Sequence, residues 1–274
     1  MNRRPSIEIA ENTWLISEFA LVNSYLLIGS QSCLLIDCGL GIGNLLEDVQ
    51  LITDKPLQVV LTHGHFDHIG GSALFPSVKL PSEDHPQFKY WYQQLVDTDL
   101  LEKYILTRLP VRSPETDPNE LLMMNTHFGE YHLQTLQNSQ FIDLGNRKIE
   151  VIHTPGHTIG SVCFLDEESK ILFTGDMCNE ESLLLNFDDF SASVKTYNES
   201  MRKLWNRKQE YNFLGLGHSP MMLGNKSLIP EYIRATDELL AGKVSIVESS
   251  DTMHSGYQFR SNNILIWYDP NKIQ

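Results

Sequence analysis

The stretch VVLTHGHFDHIGG, residues 59–71, decides how the rest of the chain is read. A β-prone apolar run passes into His63, His65, Asp67 and His68, three imidazoles and a carboxylate within six positions. An ordinary polar loop rarely gathers histidines so closely, whereas imidazole with carboxylate is the donor set that suits Zn, Mn or Fe. The spacing matches that of metal-ligand clusters. Further ligands must then come from elsewhere in the chain.

A repeated local grammar supplies them. An apolar strand ends, a small or glycine-containing turn follows, and a metal-type side chain appears: VVLT before His63, KIEVIHTPG before His157, KILFTG before Asp176 and NFLGLG before His218. Strand ends converge on one edge of a sheet, so residues distant in sequence meet there. The candidates are His63, His65, Asp67, His68, His157, Asp176 and His218. That set is too large for one tetrahedral ion and suits two divalent ions sharing a carboxylate.

Around these motifs, IEIA, TWLIS, SYLLIG and CLLID read as short strands, and GIGNLLEDVQ as a helix leading into the strand LQVVLT. Residues 148–174 return to strands. SASVKTYNESMRKLWNRK then has helical periodicity, with Ser191 or Ser193 as N-cap. NFLGLG is another strand, SLIPEYIRATDELLAG a helix closing at Gly242, and YQFRSNNILIWYD a hairpin. Strands followed by helix, twice over, predict an α/β protein of two mixed β-sheets flanked by helices, one domain over residues 1–274. Residues from about 81 to 139 break that rhythm and read as a helical insertion, with Phe88, Trp91, Tyr92, Leu95, Tyr104 and Ile105 forming an apolar stripe.

Lys and Arg number 21 against 35 Asp and Glu, a formal charge of −14. Such a field repels phosphate backbones and excludes nucleic acid as the expected partner, leaving a small-molecule substrate. No apolar run approaches the ~18 residues of a membrane span, and the N-terminus has no signal-peptide core, so a cytoplasmic location is expected. Cys33, Cys38, Cys163 and Cys178 lie mostly in apolar strand-like runs without C-x-x-C spacing. They read as buried free thiols with no disulfide.

The motifs THGHFDHIGG, TPGHTIGS, FTGD and GLGHSP, in this order, resemble the metal-binding motifs of the metallo-β-lactamase-fold hydrolases. The resemblance covers about residues 7 to 242 outside the insertion and implies an αββα sandwich. It implies one metal site of His63, His65 and His157, a second of Asp67, His68 and His218, and Asp176 as the bridge. Zinc is the expected metal, with Mn or Fe fitting the same donors. NSYLLIG and LLIDCGLG also resemble early strands of the family. Asp37 then reads either as a partner of the metal loop or as a turn carboxylate capping local amides.

Within the family, the lactamases proper usually carry Cys or Ser where Asp176 stands. Asp176 is similar to the bridging Asp of glyoxalase II, N-acyl-homoserine lactonases and phosphodiesterases. The lactonase Tyr is absent, because that position is Asn179, and the glutathione-binding cluster of glyoxalase II is not recognisable after His218. Flavodiiron oxidoreductases carry Glu where His65 sits. The implied chemistry is a binuclear metal-dependent hydrolase: hydroxide held between the ions attacks a carboxylic ester, thioester or lactone, while Asp67 orients the water or returns a proton. A phosphodiesterase, a mono-iron oxidoreductase like the persulfide dioxygenases and a catalytically silent binding protein are the alternatives. No basic phosphate clamp is visible in the sequence, which favours acyl substrates.

The insertion lies between the first and second motifs. It reads either as a lid, with Phe88, Trp91, Tyr92, Tyr104, Met123 and Met124 as an apolar pocket wall, or as a packing or homodimer interface. His153 reads as a core residue or a support for the metal site, and Cys178 as an inert buried thiol. His85, His127, His132 and His254 read as surface or lid residues.

Overall fold

Strand alternation sorts the apolar side chains into layers, and those layers define the architecture. In the Cys33–Ile36 strand, Leu34 and Ile36 join one apolar cluster while Cys33 and Leu35 join another. In the Val162–Asp166 strand, Val162 and Phe164 enter that same first cluster while Cys163 and Leu165 enter a third. Successive side chains on a strand point to opposite faces. The shared cluster is therefore the interior between two sheets, and the other two lie under helices. This computed structural model describes residues 4–124, 126–180, 182–186, 189–219, 222–242, 247–250 and 254–274.

The first sheet holds β1 (Ser6–Ala10), β2 (Thr13–Glu18), β3 (Val22–Ile28), β4 (Cys33–Ile36), β5 (Leu57–Val60), β6 (Val78–Leu80) and β7 (Leu133–Thr135), side by side in that order. It is an antiparallel meander as far as β4 and parallel from there to β7. The second sheet comprises β8 (Phe141–Asp143), β9 (Lys148–His153), β10 (Val162–Asp166), β11 (Ile171–Gly175), β13 (Phe213–Leu216) and β14 (Gly224–Asn225). Its strands lie in the order β14-β13-β11-β10-β9-β8. Helices α1 (Leu45–Gln50) and α3 (His85–Asp97) cover the first sheet through Leu45, Val49, Phe88 and Tyr92. Helices α6 (Val194–Asn206) and α7 (Leu228–Leu240) cover the second through Tyr197, Met201, Leu204, Tyr232 and Leu239. The result is the αββα sandwich. Each of those buried side chains contributes about 1.5–3 kcal/mol. Ser193 caps α6 by accepting from Thr196 N at 3.1 Å, worth about 1 kcal/mol.

Two expectations need correction. A third sheet joins the two expected ones, with β12 (Leu183–Leu185), β15 (Val247–Ser250), β16 (Ser255–Ser261) and β17 (Ile264–Tyr268) in the order β12-β17-β16-β15. The expected C-terminal hairpin forms, but β17 also pairs in parallel with the leucines of β12, a segment too short to read as a strand alone. Nor is the 81–139 segment wholly helical. After α3, α4 (Leu100–Arg112) and α5 (Pro118–Leu122), it returns to the first sheet as β7, which satisfies the open edge of β6. Among the described residues, no helix is long and apolar enough to cross a membrane. All four cysteines are free and buried.

Candidate metal centre

Strands β5, β9, β11 and β13 all run out toward the same edge of the sandwich, and the turns beyond them carry the candidate residues. His63 follows β5, and Asp67 and His68 sit on the single turn α2 (Phe66–Ile69). Asp176 follows β11 directly because Gly175 takes φ +50. A Cβ at Gly175 would stand 2.5 Å from Thr62 Oγ1, so glycine answers both the left-handed backbone and the close approach. Gly217 is similarly constrained. Its Cβ would lie 2.3 Å from Asp176 Oδ1 and 2.9 Å from His68 Cε1. These contacts explain the glycines in FTGD and GLGH.

All seven candidates come together. The potential ligand atoms of His63, His65 and His157 lie within 4.8 Å of one another, as do those of Asp67, His68 and His218. Asp176 stands between the two groups, with Oδ2 at 3.7 Å from His157 Nε2 and 3.2 Å from His218 Nε2, and Oδ1 at 3.4 Å from His68 Nε2. The cluster is buried apart from His218, which is half-buried; Asp176 is 7% exposed.

The far sides of the rings are tied to the fold. His157 Nδ1 donates to Leu184 O at 2.8 Å, and His218 Nδ1 donates to Leu21 O at 2.7 Å. His68 Nδ1 donates to Asp37 Oδ2 at 2.9 Å, and Thr62 Oγ1 lies 2.9 Å from His63 Nδ1. Each bond fixes the tautomer that leaves Nε2 facing the cluster. Asp37 also accepts from Thr62 N at 2.7 Å. It therefore does both things the sequence allows: it caps a turn and orients a metal-loop histidine.

Burial and crowding by neighbouring imidazoles push His63 and His65 well below the ordinary value, so they are neutral with lone pairs to give. Burial lowers His157 as well. Burial opposes charge on Asp67 and Asp176, yet His68 and His218 outweigh it and hold both carboxyls well below the usual range. Burial likewise opposes charge on His68 and His218. The carboxylates around His68, Asp37 foremost, raise it well above normal, and Asp176 helps bring His218 to about 9. Protons on these two rings balance the buried carboxylates in the absence of a cation. His63 Nε2, His68 Nε2 and Asp176 Oδ1 are nevertheless buried with no hydrogen-bond partner among the described residues. Orphaned polar atoms cost about 1–3 kcal/mol each, so a convergent set calls for a ligand. Imidazoles alternating with carboxylates are a donor set that fits divalent metal ions.

Above the cluster opens a cavity of about 210 Å³. Phe66, Trp91, Leu100 and Leu184 give it apolar wall, and Tyr104, Asn179 and Ser182 give it polar wall. Of the insertion residues proposed for a pocket wall, Trp91 and Tyr104 line it. Phe88 and Tyr92 instead pack into the core beneath the first sheet, Met124 packs beside α4 and α5, and Met123 is 86% exposed.

Several site residues carry no sequence signal. Asp84, ahead of α3, is buried and accepts from Gly64 N at 2.9 Å, Thr158 Oγ1 at 2.7 Å and Gly160 N at 2.7 Å. It ties the His63–His68 loop to the His157 loop. Tyr104 donates to Asp67 Oδ2 at 3.2 Å, and Arg112 donates to the same Leu21 carbonyl that holds His218. Burial and the Asp67 charge raise Tyr104 well above a normal phenol, so it stays a donor. His153 lies outside the cluster with Nε2 3.1 Å from Ile159 O, whereas His254 lines the cavity. Burial raises the Cys178 thiol, which is inert packing.

Known proteins align with this geometry. An acyl-coenzyme A thioesterase MBLAC2 of Gallus gallus is 33% identical over 179 residues, covering 59% of this chain and 59% of its own. A hydroxyacylglutathione hydrolase GloC of Haemophilus influenzae is 26% identical over 145 residues, covering 52% of this chain and 59% of its own. The aligned region thus spans about three fifths of these curated relatives. A metallo-beta-lactamase from Pontibacter korlensis shares the fold, with a TM-score of 0.59 at 17% identity over 85% of this chain and 98% of its own. Residues 18–218 match the profile of the Metallo-beta-lactamase superfamily, and the chain belongs to that superfamily.

Proposed function

We propose that the protein is a metal-dependent hydrolase of acyl compounds, with thioesters the preferred class and carboxylic esters or lactones related substrates. The observation that carries this reading is the convergence of seven imidazole and carboxylate donors at the floor of a cavity with one apolar wall. The names of the chicken and Haemophilus relatives, a thioesterase and a hydroxyacylglutathione hydrolase, support it. In this reading His63, His65 and His157 hold one divalent ion, Asp67, His68 and His218 hold another, and Asp176 lies between them. Zinc is the proposed metal. Such ions would supply a water acidified towards neutrality and a Lewis acid for the carbonyl oxygen.

The chain's own residues do the rest. Asp67 is positioned by Tyr104 and His218 to orient the attacking water and to return a proton to the leaving group. Asp176 keeps the two ligand groups at a fixed separation. Phe66, Trp91 and Leu184 exclude bulk water and receive the apolar part of the acyl group. Seven gathered donors favour this over a mono-iron oxidoreductase, which needs three or four. The buried free thiols agree with a reducing compartment such as the cytoplasm.

The test is a panel of thioesters, p-nitrophenyl esters, lactones and bis-p-nitrophenyl phosphate offered to protein reconstituted with zinc, manganese or iron, with metal content measured alongside. Thioesters should give the highest kcat/KM, at close to two ions per chain. A preference for the phosphodiester, or saturation at one ion, overturns the reading.

A further inference from the structure

Helix α4 faces the cavity with more than its apolar residues. Leu100, Lys103, Tyr104, Arg108 and Arg112 fall at i, i+3, i+4, i+8 and i+12, which a 3.6-residue period places on one side of the helix, and all five line the cavity. Two of them reach the metal centre: Tyr104 through Asp67, and Arg112 through the Leu21 carbonyl beside His218. The other two cations do not. Lys103 is exposed, and Arg108 is half-buried and donates from Nη2 to His254 Nε2 at 2.6 Å, across from the C-terminal sheet.

Neither Lys103 nor Arg108 has a carboxylate within 4.0 Å among the described residues. Two cations on the wall of the cavity that opens over the His/Asp cluster, with no carboxylate beside them, give that wall a positive field that an anion from outside fits. The bond to the His254 ring uses one of the five guanidinium N–H donors of Arg108, leaving a fork that fits a carboxylate or phosphate. The wall made by Phe66, Trp91 and Leu184 is apolar, so the cavity is divided by chemistry.

We infer that Lys103 and Arg108 form an anion-binding subsite at the cavity mouth, and that the substrate is an acyl compound whose leaving group carries a phosphate or carboxylate. This rests on the acyl-hydrolase reading above. The apolar wall takes the acyl group, the His/Asp cluster the scissile carbonyl, and the α4 cations the charged leaving group. The clamp absent from the sequence is thus assembled by folding, because its members read along the chain as a solvated helix face.

The test uses three thiols of different charge on the zinc-loaded protein. Their S-methyl thioethers, which are not hydrolysed, are titrated by calorimetry: S-methyl-N-acetylcysteamine (neutral), S-methylglutathione (carboxylates) and S-methyl-coenzyme A (phosphates). At least one anionic thioether should bind about tenfold or more tightly than the neutral one, with the advantage shrinking as salt rises. The preferred anion identifies the source. Lys103→Gln/Arg108→Gln should remove most of the advantage. Lys103→Glu, at an exposed position that the fold does not depend on, should reduce it also. Equal binding of all three, or an advantage untouched by both variants, overturns the inference. Charge-dependent binding without turnover of any S-acyl analogue leaves the subsite standing and removes the thioesterase reading instead.

Discussion

At Asp37 the backbone takes φ +63, and the carboxylate so placed receives Thr62 N–H, Thr62 Oγ1 and His68 Nδ1. One side chain thus ends a strand, closes a turn and aims a candidate ligand. Asp37→Ala leaves the buried Thr62 N–H unpaired, at about 1–3 kcal/mol, and frees the His68 ring. Loss of a partner of this kind typically lowers metal affinity about 10–100-fold. A competition titration against a chromophoric chelator should show that drop for the site containing His68, and unchanged affinity would mean that Asp37 is only a turn residue. Asp176→Ala should act differently. Without that carboxylate His218 loses a group that raises it, while Asp37 still pairs with His68, so the metal-free fold loses little. Turnover of the best thioester should nevertheless fall about 10²-fold or more, the scale of losing one electrostatic group at a reacting centre. A variant with near-native turnover would show that Asp176 holds nothing in place.

Among the elements, legibility follows how each one earns its stability. Strands β4, β10 and β11 are buried on both faces, and β5 over its last two residues; they show as short apolar runs that lead to the motifs. Helix α6 shows because its buried positions Val194, Tyr197, Met201 and Leu204 keep a helical period. Strand β12 is three leucines long, and only a partner from the far end of the chain makes it a strand. Helix α4 hides its role because its cavity face mixes Leu, Lys, Tyr and Arg, a composition that periodicity assigns to solvent. Its site function becomes visible only when Asp67, Leu21 and His254 arrive from other elements. Trp91 of α3 stands 5.5 Å from Phe66 and 5.9 Å from His65, ring to ring, on the cavity wall. Trp91→Ala should raise KM for long acyl groups several-fold with kcat and metal content little changed, as expected when binding common to ground and transition states is lost. A parallel fall in kcat would instead assign Trp91 to closure of the cavity. Tyr104→Phe keeps the packing against Phe66 and removes the bond to Asp67, so its loss should appear in kcat.

At the scale of the whole molecule, the candidate metal centre is also a seam. His63, His65, Asp67 and His68 belong to the first sheet's loops, and His157, Asp176 and His218 to the second's. The apolar interior between the sheets holds them face to face, while at this edge buried carboxylates and imidazoles meet with orphaned atoms among them. A ligand that binds only this assembled edge stabilises the sandwich by mass action, by about 4 kcal/mol when present at 1,000 times its dissociation constant. For a chain of this size each kcal/mol moves Tm by about 2–4 °C, so saturating zinc should raise Tm by on the order of 10 °C over chelator-treated protein. Asp84 provides the control, because it bridges the same two loops without belonging to the donor set. Asp84→Ala should lower Tm in the presence and absence of metal alike, leaving the metal-dependent increment in place. His63→Ala should abolish most of the increment while changing the metal-free Tm far less. Differential scanning calorimetry of the three proteins with zinc and with chelator separates these effects. If zinc leaves Tm of the unmodified chain where the chelator puts it, the seven residues are not a metal site.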